Sequence, residues 1–157
     1  MSRFAQVAFT DAVRKQQEQH GSSRAYAAQL GGDGEPDLLG PAEAEFIAER
    51  DSFYAATVGE TGWPYIQHRG GPPGFVHVLD EATIAFADVR GNRQYVTAGN
   101  LDGDDRVALF FMDYAFQRRL KLFGRARFLA AADHPELAAR LAEPRTDGRV
   151  ESLVVVQ

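Results

Sequence analysis

The sequence predicts a mainly β protein with peripheral helices, folded as a closed or partly closed antiparallel barrel. Three observations lead there. From Ser52 onward apolar residues recur at every second position, the spacing of a half-buried strand. Six or seven such runs follow one another, separated by clusters of Gly, Pro, Asp and Asn. Helical spacing is confined to the first fifty residues and two short later segments, too few helices for a parallel sheet and its crossovers.

In order, Phe4, Val7, Ala8 and Val13 fall near helical spacing, with Ser2 placed to cap their helix and Gly21 to end it. The stretch Gly31 to Gly40 (G-G-D-G-E-P-D-L-L-G) reads as a loop. Pro41 opens a second helix, in which Phe46 and Ile47 face inward. S-F-Y-A-A-T-V is the first strand, G-E-T-G-W a hairpin turn and P-Y-I-Q-H-R the second strand. F-V-H-V-L and T-I-A-F-A follow as strands around Asp80 and Glu81. R-V-A-L-F-F-M is strongly apolar. R-L-K-L-F-G-R-A-R-F alternates charged and apolar residues, as a strand with one wet face does. Ala131 to Leu141 reads as a short helix capped by Asp133 and started by Pro135, and Val150 to Gln157 returns to strand. The closing L-V-V-V-Q has no turn after it, so either the chain ends on that strand or the natural protein continues.

The chain has 157 residues, which fits one domain, 1–157, with a helical segment over about 1–50. Lys and Arg number 17 against 22 Asp and Glu, a net charge of −5, which argues against a nucleic-acid partner. The absence of cysteine removes disulfides, thiolate nucleophiles and thiolate metal sites, and fits a reducing cytoplasm. No apolar run approaches membrane-spanning length, and residues 1–13 lack the apolar centre of a signal peptide. A cytoplasmic location without a membrane partner is expected.

The stretch Thr83 to Asn100 carries the clearest functional signal. It reads as a strand, a turn at Asp88, Gly91 and Asn92, and a helix capped by Asn92 whose first turn holds Arg93, Gln94 and Tyr95. Free N–H groups and the helix dipole at such a start suit a phosphate, and Arg90 and Arg93 add cationic side chains. Two further polar groups lie at strand ends: Gln67, His68 and Arg69, and Gln117, Arg118 and Arg119. In an antiparallel barrel the three segments could converge on a phosphorylated ligand. The four histidines show no metal-motif spacing, and no nucleophile motif or P-loop is present. No catalytic residue or metal site is assigned.

The order of these segments resembles the flavin-binding split barrels of the pyridoxamine 5′-phosphate oxidase-like family. The resemblance rests on P-Y-I-Q-H-R, I-A-F-A-D-V-R-G-N-R-Q, R-V-A-L-F-F-M and F-Q-R-R-L-K-L-F-G-R, over about Phe46 to Phe128. It implies an antiparallel split β-barrel that binds FMN. Arg69 then resembles the family's strand arginine near the flavin, and Asn92, Arg93 and Gln94 its phosphate-binding segment, with Gln94 in place of Lys. Phe86, Ala87 and Asp88 would lie along the isoalloxazine, Gln67 and His68 would flank it, and Arg118 and Arg119 resemble an Arg-Gln pair. The family's C-terminal Trp is missing: Trp63 sits in a hairpin turn, so pyridoxamine phosphate is not implied as substrate. The resemblance further implies a homodimer with FMN at the subunit interface, for which Phe110, Phe111, Met112 and Phe123 offer apolar surface. An FMN-dependent oxidoreductase acting on a small molecule is the leading expectation. A non-catalytic flavin carrier, a barrel using deazaflavin or haem, and a cofactor-free interaction barrel remain open.

Overall fold

The computed structural model describes residues 2–30, 37–144 and 148–157, which fall into two compact units meeting at Leu38 and Leu39. The first holds α1 (Arg3–Ala8), α2 (Asp11–Gln19) and α3 (Ser23–Tyr26), followed by a 3-10 turn, Ala27–Leu30. Ser2 caps α1 as expected, its hydroxyl accepting the Ala5 N–H at 3.0 Å. The single helix expected up to Gly21 is two helices. Phe9 leaves helical geometry (φ −98°, ψ 67°), and Thr10 starts the second helix by accepting the Val13 N–H at 3.4 Å. The Gly-rich loop expected from Gly31 lies largely outside the described residues.

The second unit begins with α4 (Pro41–Ala48), where Pro41 stands at the first turn and Ile47 is fully buried. Then come β1 (Ser52–Val58), β2 (Pro64–Gly70), β3 (Val76–Asp80), β4 (Thr83–Val89), α5 (Val96–Gly103), β5 (Arg106–Asp113), β6 (Arg118–Ala130), a 3-10 turn (Ala131–Asp133), α6 (Pro135–Leu141) and β7 (Val150–Val156). Every strand pairing is antiparallel. The hydrogen-bonded order is β2-β1-β5-β6-β7-β4-β3. The two edge strands, β2 and β3, are therefore consecutive in sequence. Only Gly71 to Phe75 join them, a link that reaches at most about 20 Å. A flat seven-strand sheet would separate its edges by about 29 Å. The sheet must curl, and the split barrel follows from the order of its strands.

β6 makes the curl possible. Its first half pairs with β5 (Val107 opposite Gly124) and its second half with β7 (Ala126 opposite Val156), so one strand serves both halves of the barrel. The concave face holds the core. Phe53 lies at its centre, with ring centroids 5.0 Å from Phe111, 5.2 Å from Phe86 and 5.9 Å from Phe75. Phe111, expected at a subunit interface, is fully buried here. A second cluster lies on the outer face of β4 and β7, where Ala85, Ala87, Leu153 and Val155 pack with Leu141 of α6. Thr83 to Ala87 are accordingly buried at every position, and the alternation expected there is absent because both faces are covered.

Two helix starts differ from the expectation. α5 begins at Val96 after Tyr95, not at Arg93 after an Asn92 cap. Asn92 Oδ1 accepts the Gln94 N–H at 3.2 Å, a local turn that competes with helix. Arg93 (φ 62°) and Tyr95 (φ 53°) are left-handed, which a right-handed helix cannot accommodate. α6 is preceded by His134, not Asp133, because Asp133 closes the 3-10 turn.

Candidate functional site

A cleft of about 220 Å³ opens where β2 and β4 pass each other without pairing. β2 alternates, and its half-buried set, Tyr65, Gln67 and Arg69, lines the cleft. β4 contributes Asp88 and Val89, the loop after it Gly91 to Tyr95, and α5 its first residues, Val96, Thr97 and Ala98. Phe128 of β6 and Glu151 of β7 complete the wall.

Four contacts fix its shape. Arg69 and Asp88 form an ion pair across the gap, and Asp88 Oδ2 also accepts the Ser152 hydroxyl at 3.4 Å. Thr97 Oγ1 donates to Gln67 Oε1 at 2.5 Å, and Asn100 Nδ2 donates to Thr57 Oγ1 at 2.9 Å. These last two tie α5 to β2 and β1, so the helix start is held in place by the barrel.

The wall formed by the loop and α5 presents hydrogen-bond donors and a cation. The N–H groups of Val96, Thr97 and Ala98 have no acceptor among the described residues, as the first turn of an uncapped helix requires. Arg93 stands beside them. A hydrogen bond with Tyr95, and then the charge of Glu151, raise its pKa above the ordinary guanidinium value, so it stays a cation. Tyr95 donates its hydroxyl to Glu151 Oε2 at 3.1 Å, and Arg90 Nε lies 3.5 Å from Glu151 Oε1. Arg69 Nε is buried without a partner. Among the described residues no group of three or more His, Asp or Glu side chains is placed to hold a metal ion. The cleft offers amide and guanidinium donors on one wall; among the described residues it pairs no nucleophile with a base.

Six of the expected site residues meet here: Gln67, Arg69, Asp88, Asn92, Arg93 and Gln94. The other five do not. His68 points to the opposite face of β2, its ring 5.5 Å from that of Tyr54, because adjacent strand residues face opposite sides. Phe86 is buried in the barrel core and Ala87 in the cluster under α6. Arg118 and Arg119 lie at the β5–β6 hairpin, opposite Asp113 and Met112. There Arg118 pairs with Asp113 at 2.8 Å and sits over the rings of Phe46 and Phe116. The three polar segments thus do not converge within one chain. Sequence reasoning missed Tyr65, Tyr95, Thr97, Phe128 and Glu151. The alternation of β2 could have given Tyr65, which is in phase with Gln67 and Arg69; Glu151 and Phe128 depend on long-range register and carry no local signal.

The model of the pyridoxamine 5′-phosphate oxidase family matches residues 39–155, close to the bounds of the second unit. A comparison with curated proteins found no match. Solved structures do resemble the chain. HupZ of Group A Streptococcus is 16% identical with a TM-score of 0.60, over 76% of this chain and 88% of that one. The conserved hypothetical protein Rv2991 of Mycobacterium tuberculosis is 21% identical with a TM-score of 0.53, over 80% and 83%. A protein named F420 reductase is 20% identical with a TM-score of 0.51, over 75% and 94%. At these identities the likeness is one of fold. With residues 39–155, most of its length, matched by the family model, the chain belongs to the pyridoxamine 5′-phosphate oxidase family.

Proposed function

We propose that the protein is an FMN-binding flavoprotein that acts as an oxidoreductase on a small molecule. The observation that carries this reading is the anion wall: Arg93 and three unpartnered amides at one side of the cleft. A phosphate monoester carries close to two negative charges at neutral pH. Amides at a helix start and a guanidinium fork supply the donors it needs. The residues present therefore fit the group. Arg93, with the N–H groups of Val96 to Ala98, would hold the phosphate, and Tyr65, Gln67 and Arg69 would lie along the rest of the cofactor. When bound, FMN supplies reversible hydride and electron transfer. The chain's own part is to bind, orient and exclude water.

A second copy of the chain completes the site in this proposal. About 220 Å³ falls short of the roughly 300–1,000 Å³ of a typical ligand pocket. The outward face of β2, β1, β5 and β6 offers the surface for a partner. Ile66, Ala56, Ala108 and Phe123 are successive cross-strand neighbours on it, an unbroken apolar row with Ile66 64% and Phe123 48% exposed. No helix among the described residues is long and apolar enough to cross a membrane.

The absorption spectrum of the purified protein tests the reading. Oxidised-flavin bands that are released on denaturation and comigrate with FMN are expected; a protein that is colourless and takes up no FMN ends it. A deazaflavin would give a different spectrum in the same measurement. Turnover of reduced nicotinamide above a free-flavin control separates an enzyme from a flavin carrier. Sedimentation should show a dimer that Ile66→Glu dissociates; a flavin-loaded wild-type monomer at micromolar concentration removes the shared site.

A further inference from the structure

Glu151 reaches the cleft through a break in the ladder. β4 and β7 pair Asp88 with Ser152 and then Val89 with Val150, which leaves Glu151 as an extra residue on β7. In a regular ladder Glu151 would face the same side as Leu153 and Val155, the side covered by α6. The bulge re-aims it, and Glu151 lines the cleft instead. Once there, both of its oxygens meet the anion wall. Oε1 faces Arg90 and Oε2 accepts from Tyr95, while its charge acts on Arg93. The other acid of the cleft, Asp88, is already held by Arg69 and Ser152.

We propose that Glu151 is an internal competitor for the ligand's phosphate: a carboxylate that engages the cationic wall and that an incoming phosphate must displace. This rests on the phosphate site of the preceding reading. It makes Glu151 a specificity residue. Any anion entering beside it meets a fixed negative charge. A phosphate dianion gains enough from Arg93 and the free amides to overcome that charge, whereas a singly charged carboxylate or phosphodiester gains less. The bulge sets the competition by placing one carboxylate between two arginines. The Tyr95 hydroxyl holds that carboxylate in position.

The test compares wild type, Glu151→Gln and Tyr95→Phe, each freed of bound ligand. Gln keeps an oxygen to accept the Tyr95 hydroxyl and loses only the charge. Three probes are titrated: FMN, riboflavin, and inorganic phosphate followed through the amide resonances of Val96 to Ala98. Glu151→Gln should tighten FMN and inorganic phosphate about two- to five-fold, the size of a partly exposed charge interaction. Riboflavin should not change. Tyr95→Phe loosens the carboxylate but leaves its charge, and should gain less than Glu151→Gln. Unchanged or weaker phosphate binding in Glu151→Gln overturns the inference and makes Glu151 a support for the arginines, and equal tightening in Tyr95→Phe overturns it in favour of a loosened loop. If the wild type takes up no FMN yet inorganic phosphate tightens in Glu151→Gln, the flavin reading falls and the competitor stands.

Discussion

Arg69 on β2 and Asp88 on β4 form an ion pair between two strands that share no backbone hydrogen bond. Their side chains are only 17% and 14% exposed. The pair bridges the split of the barrel. Removing one partner leaves a charge in a low-dielectric setting, which costs about 3 kcal/mol. Arg69→Ala and Asp88→Ala should each lose about that much in urea unfolding, and the double variant clearly less than the sum. Additive losses would mean that the two side chains do not act on each other.

Arg93 should decide recognition of the phosphate. It lines the cleft with the free amides of α5, where its side chain interacts with Tyr95 and Glu151. Arg93→Ala should weaken FMN about ten- to a hundred-fold and leave riboflavin nearly unchanged. Equal losses for both flavins, or no loss, remove Arg93 from the phosphate site.

Two glycines should respond in opposite directions. A Cβ on Gly124 would come within 2.8 Å of Val156 Cγ1 and 2.9 Å of the Gln157 carbonyl oxygen, at the point where β6 passes from β5 to β7. Gly124→Ala should therefore cost about 1–3 kcal/mol. Gly99 lies inside α5 with nothing within 4 Å of an added Cβ. Gly99→Ala should gain about 0.5–1 kcal/mol by restricting the unfolded chain. Thermal unfolding of the two variants checks both signs.

Asp113 gives the second unit an acid-sensitive contact. A hydrogen bond from Arg118, helped by the Phe116 N–H and the charge of Arg50, lowers its pKa below the ordinary carboxylate value. A group whose pKa is lower in the folded state stabilises that state above its unfolded pKa, about 4, and loses the contribution as pH falls through the lowered value. Asp113→Asn should be destabilised at neutral pH, and the gap to wild type should close at acid pH. A gap that is constant from neutral to acid pH would rule out an ionic contribution.

The sequence revealed the strands because alternation is local. β6 shows it best: Arg119, Lys121, Arg125 and Arg127 face water together with Phe123, and Leu120, Leu122, Ala126 and Phe128 face the core. The cover on both faces of β4 was hidden, because α6 arrives from fifty residues downstream. Residues close together on one strand or loop, such as Gln67 with Arg69 or Asn92 with Arg93, line one cleft. His68 lies off it because a strand sends adjacent side chains to opposite faces, and Arg118 and Arg119 because their side of the barrel depends on the β5–β6 register. The start of α5 was misplaced by three residues because Asn can turn the chain locally as readily as it can cap a helix. Glu151 depended on a bulge, which no local pattern records.

The short link from Gly71 to Phe75 joins the two edges of the sheet, so one rim of the opening is a covalent hinge and the other is closed by side chains. Cutting the chain there would break no strand pairing. It would free the edges that the link ties together, and a nicked or circularly permuted protein would keep its seven-strand order while its mouth was held by side chains, among them Arg69 with Asp88, the ties of α5 and the core around Phe53. Ligand affinity, more than unfolding temperature, would register the cut.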